Sequence, residues 1–308
     1  PPSVAADLVL QSRERAVMSL SAGAGRTDVA SLVAQLHENG RLTPTIVLRA
    51  LCTGDLDFFE NAMALLGGIP VANAYRLIHA EGDGLPSLVC DRYDRWLVVQ
   101  FMSAGLESAR ADVIEALRVV VAPDGILARN DASLRDKEGL PRAVELLYGD
   151  VPREIEVREN HVRYLAAPWD GQKTGAFLDQ RENRASIGAL ARGRALDCFS
   201  YHGSFALHLA GRAERVLALD SSAAALTRAR QNAALNGFTN IEFLEANAFD
   251  YLRTAERGHQ RFDTIVLDPP AFAKTKAALA AGIRGYKEVN LRAMRLLAPG
   301  GALFTASC

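Results

Sequence analysis

Residues 195–220 read ALDCFSYHGSFALHLAGRAERVLALD. An apolar run closes on a polar loop with one glycine, an apolar helical stretch follows, and a second apolar run ends in aspartate. Runs without polar alternation are strands buried on both faces. The unit repeats: strand-like segments ALDCFS (195–200), RVLALD (215–220), NIEFLE (240–245), FDTIVLD (262–268) and GALFTAS (301–307) alternate with helical stretches near 203–211, 222–236, 248–257 and 286–297. Apolar strands alternating with helices demand a parallel sheet covered on both faces. The expectation over 166–308 is a Rossmann-like, doubly wound α/β domain.

Upstream the pattern changes. PSLVCDRYDRWLVVQFMS reads as two strands turning near Tyr93 and Asp94, residues 106–120 as an amphipathic helix, and GILARN (125–130) as a strand. REIEVRENHVRYLAA is a hairpin turning near Glu159 and Asn160, so 66–165 is expected to be a small α+β domain. Residues 55–66, DLDFFENAMALL, follow an aspartate cap with helical spacing. Over 1–65 as a whole, the turn-like ENGR (38–41) between short apolar alternations predicts a β-rich module.

Composition removes several classes. Apolar residues make up 49% of the 308, which excludes a disordered chain or a small disulfide scaffold. Lys plus Arg (35) and Asp plus Glu (36) nearly cancel, giving a net charge of −1. Any nucleic-acid contact must therefore come from a local patch rather than bulk charge. No apolar run approaches the roughly 18 residues that span a bilayer, and Asp7 and Arg13 interrupt the place of a signal peptide's apolar stretch. The expectation is a cytoplasmic protein without a membrane anchor. Cys52, Cys90, Cys198 and Cys308 form no CxxC pair, so no metal site is expected. Packing is the expected role of the first three.

In a doubly wound sheet the ligand sits beyond the carboxyl ends of the strands, where strand order reverses. Those ends carry Asp197-Cys198-Phe199-Ser200-Tyr201-His202-Gly203, Asp220-Ser221, Asn247-Ala248 and Asp268-Pro269-Pro270. A dinucleotide site would offer GxGxxG; only Gly203 is present, which suits a ligand without pyrophosphate. Asp220 closes strand two, from where a carboxylate can grip both ribose hydroxyls. An adenosine-type ligand without phosphates fits, and S-adenosylmethionine is the common one. Its expected contacts are Asp197, Phe199, Ser200, Gly203, Asp220, Ser221, Asn247, Ala248 and Asp268. The competing reading of Asp197 and Asp220 is helix capping.

In DPPAF (268–272) two prolines remove backbone donors and stiffen the loop. Asp268 could contact a ring nitrogen or exocyclic amine of a flat substrate while Phe272 stacks on it; an ordinary strand-ending turn is the alternative. The DPPY or DPPF pattern of enzymes that methylate exocyclic amines is broken here by Ala271. Cys308 follows strand five, beside this loop in the expected topology, where a thiolate could add to a pyrimidine ring. Ahead of strand one, AAPWDGQKTGAFLDQRENR (166–184) could close over the ligand through Gln172 and Thr174, with Lys173, Arg181 and Arg184 meeting phosphates. Arg284, Lys287 and Arg292 are either a solvated face or an RNA-facing patch.

Together these motifs resemble the PUA-domain-containing family of class I methyltransferases that make 5-methylcytosine in 23S ribosomal RNA. The resemblance runs from about Tyr75 to Cys308 and rests on EGDGLPSLVCDRYDRWLVVQ, GQKTGAFLDQRENR, ALDCFSYHGSFALHLA, DPPAF, RGYKEVN and the terminal SC. It implies a PUA RNA-binding module at the N-terminus, S-adenosylmethionine as cofactor, Cys308 as nucleophile and Asp268 as its catalytic partner. It also implies 23S rRNA as partner, met by Lys173, Arg181, Arg184, Phe272, Arg284 and Lys287, and pairing as a homodimer. The chain departs from the family at Tyr201-His202-Gly203-Ser204, where Tyr-Thr-Gly-Gly is usual, and its first 50 residues match a PUA domain poorly. Such a domain continues past strand five, so a sheet truncated at one edge is expected. Rival readings are a methyltransferase acting on another base atom without a covalent step, and a non-catalytic RNA-binding relative.

Overall fold

The computed structural model describes residues 12, 14–22, 24–66, 72–273 and 275–307. The chain divides into two units, Pro1–Asn73 with Ala109–Pro123, and Ala74–Ser108 with Asp124–Cys308. Among the described residues no helix is long and apolar enough to cross a membrane.

The first unit corrects the expectation of a β-rich, PUA-like module: its described residues form helices and no strand. They include α1 (Arg26–Glu38), α2 (Pro44–Thr53), α3 (Leu56–Leu66) and α4 (Arg110–Val121). The ENGR segment is a helix end rather than a hairpin turn. Asn39 N–H bonds back to the Gln35 carbonyl, and Gly40 takes the left-handed φ of 64° that leads out of α1. Thr43 Oγ1 then accepts from Ile46 N–H at 3.3 Å with Pro44 opening α2, a capping pair suited to a helix start. Val29 and Val33 lie four residues apart on α1 and bury against Ile46, Val47, Ala50, Phe58 and Ala62. Helical period, not alternation, fits that core.

The second unit holds a mixed sheet in the order β1 (Ala74–His79), β2 (Leu88–Tyr93), β3 (Trp96–Phe101), β4 (Gly125–Asn130), β5 (Ala143–Gly149). Only β3 and β4 pair in parallel. The hairpin of β6 (Ile155–Glu159) and β7 (Val162–Ala166) turns at Asn160, whose φ is 54°. Residues expected as one domain over 66–165 thus fall in both units.

Beyond the hairpin comes the five-stranded parallel sheet, β10 (Ile241–Glu245), β9 (Arg215–Asp220), β8 (Arg194–Cys198), β11 (Phe262–Leu267), β12 (Leu297–Thr305), in that spatial order. Its helices are α5 (Arg181–Leu190), α6 (Ser204–Ala210), α7 (Ala223–Leu235), α8 (Ala248–Arg257) and α9 (Leu279–Leu296). The last begins seven residues earlier than the expected 286. Strand residues alternate between two cores. Ala195, Val216 and Val266 pack with Phe205 and Leu209 of α6 and Ile187 of α5. Leu196, Cys198, Ile265 and Leu267 pack on the other face with Leu252 of α8 and Val289, Ala293 and Leu296 of α9. Strand order reverses between β8 and β11. Cys90 and Cys198 are buried, whereas Cys52 is exposed on α2 rather than packed.

Arg184 corrects a second expectation. Its guanidinium is 1% exposed and forms two 2.6 Å bonds with the Glu159 carboxylate, so no RNA phosphate can reach it. Tyr164 Oη donates to the same carboxylate at 3.0 Å, and Arg184 Nη1 donates to the Phe177 carbonyl at 2.9 Å. Burial pushes the Glu159 carboxyl up, but the bonds and charge of Arg184 outweigh it and hold the group below its ordinary range. Arg184→Met leaves this carboxylate buried without its guanidinium, and breaking a buried pair by removing one partner costs on the order of 3–5 kcal/mol, readable by urea unfolding. Because the folded pKa is depressed, the pair's contribution is present above the unfolded value of about 4.3 and disappears as pH falls through the folded one. The parent's stability therefore falls on acidification more steeply than that of a Glu159→Gln/Arg184→Met variant.

Candidate cofactor and catalytic site

The loop leaving β8 alternates left-handed residues: Phe199 (φ 65°), Tyr201 (50°) and Gly203 (84°). Two of these are not glycine, and each costs about 1–2 kcal/mol. The surroundings fix them. Ser200 N–H donates to the Leu219 carbonyl at 3.0 Å, Tyr201 N–H to Asp220 Oδ2 at 2.9 Å, and Asn232 Nδ2 to the His202 carbonyl at 2.9 Å. Gly203 has a second reason to be glycine, since a Cβ there would sit 3.1 Å from that of Ala229.

Beside this loop a cleft of about 290 Å³, open solvent at its mouth included, is lined by Phe199, Leu219, Asp220, Ser221, Ala246, Asn247, Ala248 and Phe249. Of the expected cofactor contacts it gathers Phe199, Asp220, Ser221, Asn247 and Ala248. Asp220 Oδ1 also accepts from Ser222 N–H at 2.9 Å, while Ser222 itself caps α7. Each Asp220 oxygen thus has one backbone donor and keeps a lone pair for a ribose hydroxyl. Asn247 caps α8 through Phe249 and Asp250 N–H. Aromatic and aliphatic walls with a carboxylate at one end suit a nucleoside. Leu219, Ala246 and Phe249 were not singled out in the sequence; Phe249, an aromatic two residues past the cap, was the readable signal.

Asp197 and Ser200 are buried and do not line the cleft. Asp197 is fully buried, and its Oδ2 accepts from Ala206 N–H at 3.0 Å, so the capping reading holds for it. Burial, then the charge of Asp268, pushes its carboxyl well above the ordinary range. Asp197 Oδ1 and Ser200 Oγ are buried with no hydrogen-bond partner among the described residues. His202, in the same loop, is buried with both ring nitrogens unpartnered and stacks on Tyr164 at 5.1 Å. Burial, then the charge of Arg184, pushes it down to about 3, so it is neutral at physiological pH.

Thr174 is corrected by its surroundings. It is fully buried, with Oγ1 donating to Asp91 Oδ2 at 2.5 Å and lying 3.1 Å from the Tyr93 hydroxyl. It fastens its loop to β2 and is closed to a ligand. Gln172 is exposed, and its N–H donates to Tyr201 Oη at 3.1 Å, joining that loop to the strained one. Lys173 is held by Asp179 at 2.8 Å and lies over the Phe177 ring. Arg181 lies 3.7 Å from Glu182, and Arg284 and Lys287 are exposed on α9.

Asp268 follows β11, partly buried. Gln180 Nε2 donates to its Oδ1 at 3.3 Å, and Asn183 Nδ2 donates to Gln180 Oε1 at 2.6 Å, which turns the Gln180 amine toward Asp268. Burial, then the charge of Asp179, raises the Asp268 carboxyl. Phe272 packs against Tyr286 (4.6 Å), Phe249 (5.4 Å) and Phe199 (6.2 Å), a cluster joining this loop to the cofactor cleft. Cys308 lies outside the described residues; Ala306 N–H donates to the Leu267 carbonyl at 2.8 Å, next to Asp268.

Residues 76–308 match the S-adenosylmethionine-dependent methyltransferase family, and residues 1–94 match a family of uncharacterised proteins conserved in bacteria, DUF2336. The chain belongs to the S-adenosylmethionine-dependent methyltransferase family. It is 44% identical over 268 residues to ribosomal RNA large subunit methyltransferase I of Aeromonas salmonicida, covering 83% of this chain and 68% of that protein. The enzyme of the same name from Vibrio cholerae is 42% identical, covering 82% and 68%. Among solved structures, the methyltransferase SMU.776 in complex with SAH superimposes with a TM-score of 0.67 at 23% identity, covering 84% of this chain and 66% of that one. A SAM-dependent methyltransferase from Streptococcus mutans gives 0.63 at 23% identity, covering 77% and 61%.

The Gln180 amine favours the ionised form of Asp268. In Gln180→Leu the Asp268 carboxyl should titrate at higher pH than in the parent, followed by carboxyl-carbon NMR with Asp268→Asn identifying the resonance. An unchanged titration would count against the contact.

Proposed function

We propose that the chain methylates carbon 5 of a cytosine in large-subunit ribosomal RNA. What supports the substrate is the 44% identity to an enzyme named for that RNA, of which this chain spans about two thirds. What supports the atom is the pairing of DPPAF with a cysteine just past the last strand, a combination without use in amine methylation. The same reading includes a cytoplasmic location and pairing as a homodimer.

Bound S-adenosylmethionine supplies an electrophilic methyl group. Phe199, Phe249 and Asp220 would hold its nucleoside. The target cytosine leaves its stack, because carbon 6 is otherwise covered. Cys308 thiolate adds to carbon 6, and the electron pair moves through the ring to make carbon 5 nucleophilic. Asp268, its carboxyl raised by burial and the charge of Asp179 and held by Gln180, hydrogen bonds N3 or the exocyclic amine and stabilises the adduct. Once carbon 5 has been methylated, loss of its proton returns the electrons and expels Cys308. Positioning carries much of the acceleration.

Incubation with methyl-labelled S-adenosylmethionine and unmodified 23S rRNA, followed by digestion to nucleosides, is expected to place label in 5-methylcytidine. Label in another nucleoside overturns the atom and the role of Cys308, and absence of label overturns the RNA reading. Cys308→Ala is expected to lower the rate on the order of 10⁴-fold, as loss of a catalytic nucleophile does elsewhere. A parental rate in that variant removes the covalent step.

A further inference from the structure

A chain of net charge −1 must meet RNA through local patches. Around the candidate site the basic side chains are largely committed: Arg184 is buried on Glu159, and Lys173 is held by Asp179. A denser cluster lies elsewhere. Where α8 and α9 end, an open cleft of about 950 Å³, its mouth included, is lined by Arg253, Arg257, Arg261, Arg292 and Arg295 together with Glu256. We propose that this cleft binds backbone phosphates of the RNA substrate. The proposal rests on the reading that the substrate is RNA, and it adds a second contact region distinct from the cofactor cleft.

Three of the arginines are matched by carboxylates. Arg292 is shared between Glu256 (2.5 Å) and Glu288 (3.2 Å). Arg295 pairs with Glu256 at 2.7 Å, and Arg253 sits between Glu288 (3.0 Å) and Asp250 (3.1 Å). The other two are not matched. Arg261 Nη1 donates to the main-chain carbonyls of Gln260 and Arg295, and Arg257 has no carboxylate partner among the described residues. Five guanidiniums against Asp250, Glu256 and Glu288 leave a surplus of two positive charges. The ion pairs hold the matched arginines at fixed positions around the unmatched ones, so little side-chain freedom is left to lose when an anion arrives. A guanidinium fork suits phosphate oxygens better than an ammonium does.

Position gives the cleft its role. Both helices run back against the strands that precede them, so their carboxyl ends lie at the amino-terminal edge of the sheet, under the starts of β11 and β12. The cofactor cleft opens at the opposite edge. A strand's length separates the two, roughly 20 Å for six residues. RNA held at both would lie across the α8–α9 face, with the target nucleotide at one end and flanking phosphates at the other. These contacts would read no sequence and would add affinity in a salt-dependent way.

The test compares the parent with Arg257→Ala/Arg261→Ala in fluorescence titrations of a labelled single-stranded 23S rRNA fragment, over salt from about 0.05 to 0.3 M. Two lost phosphate contacts lower the slope of log affinity against log salt by about 1.4, and lower affinity about 25-fold at about 0.1 M salt. Arg257→Lys/Arg261→Lys, which keeps the charge, should keep most of the slope. Should the double alanine variant melt early, Arg257→Ala alone, with no pair to break, should lower the slope by about 0.7. S-adenosylmethionine affinity, measured in parallel, should remain parental. If the parent binds and methylates rRNA while the alanine variants keep its slope and affinity, the arginines only complement the two helix ends and the proposal is overturned. If the parent itself neither binds nor methylates RNA, the RNA reading fails and this inference falls with it.

Discussion

The buried pair between Arg184 and Glu159 fixes the position of the segment that reaches Asp268 in the second unit. Glu159 ends β6 and Arg184 sits one turn into α5, so the pair fastens the hairpin to the helix preceding the parallel sheet. Removing both groups from water is expensive, and a buried ion pair of this kind is weak evidence for stability. What it supplies is position. Arg184 also holds the Phe177 carbonyl, and the three residues Leu178–Gln180 then turn directly into α5. Gln180 is therefore placed by the same arginine, and Asp268 in turn by Gln180. A chain of three side-chain links runs from a hairpin to the carboxyl group at the end of β11.

The parallel sheet was legible because its central strands β8 and β11 are buried on both faces and read as nearly unbroken apolar runs. Five of the residues expected at the strand ends line one cleft, because such sheets open at their carboxyl edge. The errors share another cause. Arg184 and Thr174 sit in a polar, glycine-punctuated segment that reads as solvated, yet both are buried on acidic partners far away in sequence, Glu159 and Asp91. A buried charge and an exposed one are the same letter; only the partner distinguishes them. At the N-terminus the turn-forming residues of ENGR fit a hairpin or a helix end equally well. What decides is the period of the flanking apolar residues, and Val29, Val33, Ile46 and Ala50 recur at helical spacing.

Capping a helix and lining the cleft are not exclusive at the strand ends. Asp220 satisfies two backbone donors and still lines the cleft, and Asn247 does the same at α8. The overlap follows from geometry. The first turn of a helix after a parallel strand lies at the ligand edge, and its free N–H groups need an acceptor. A short acidic or amide side chain there meets the backbone's demand on one side and faces the crevice on the other.

The loop between β8 and α6 carries the strain of the site. Phe199 and Tyr201 are held left-handed, while Asp197 Oδ1, Ser200 Oγ and both nitrogens of His202 are buried without partners. None of this favours folding, and the packed surroundings must over-determine the loop for it to persist. Arg184 and Glu159 anchor α5 beside it, Tyr164 stacks on His202, and Asn232 holds the His202 carbonyl. The strained turn places the Phe199 ring against the cleft and the Tyr201 N–H against Asp220. With phenylalanine rather than glycine at its first left-handed position, the loop gives up the open backbone that a pyrophosphate needs and gains an aromatic wall for a base. One residue type at one backbone conformation thus replaces the open glycine backbone of a dinucleotide loop with an aromatic wall.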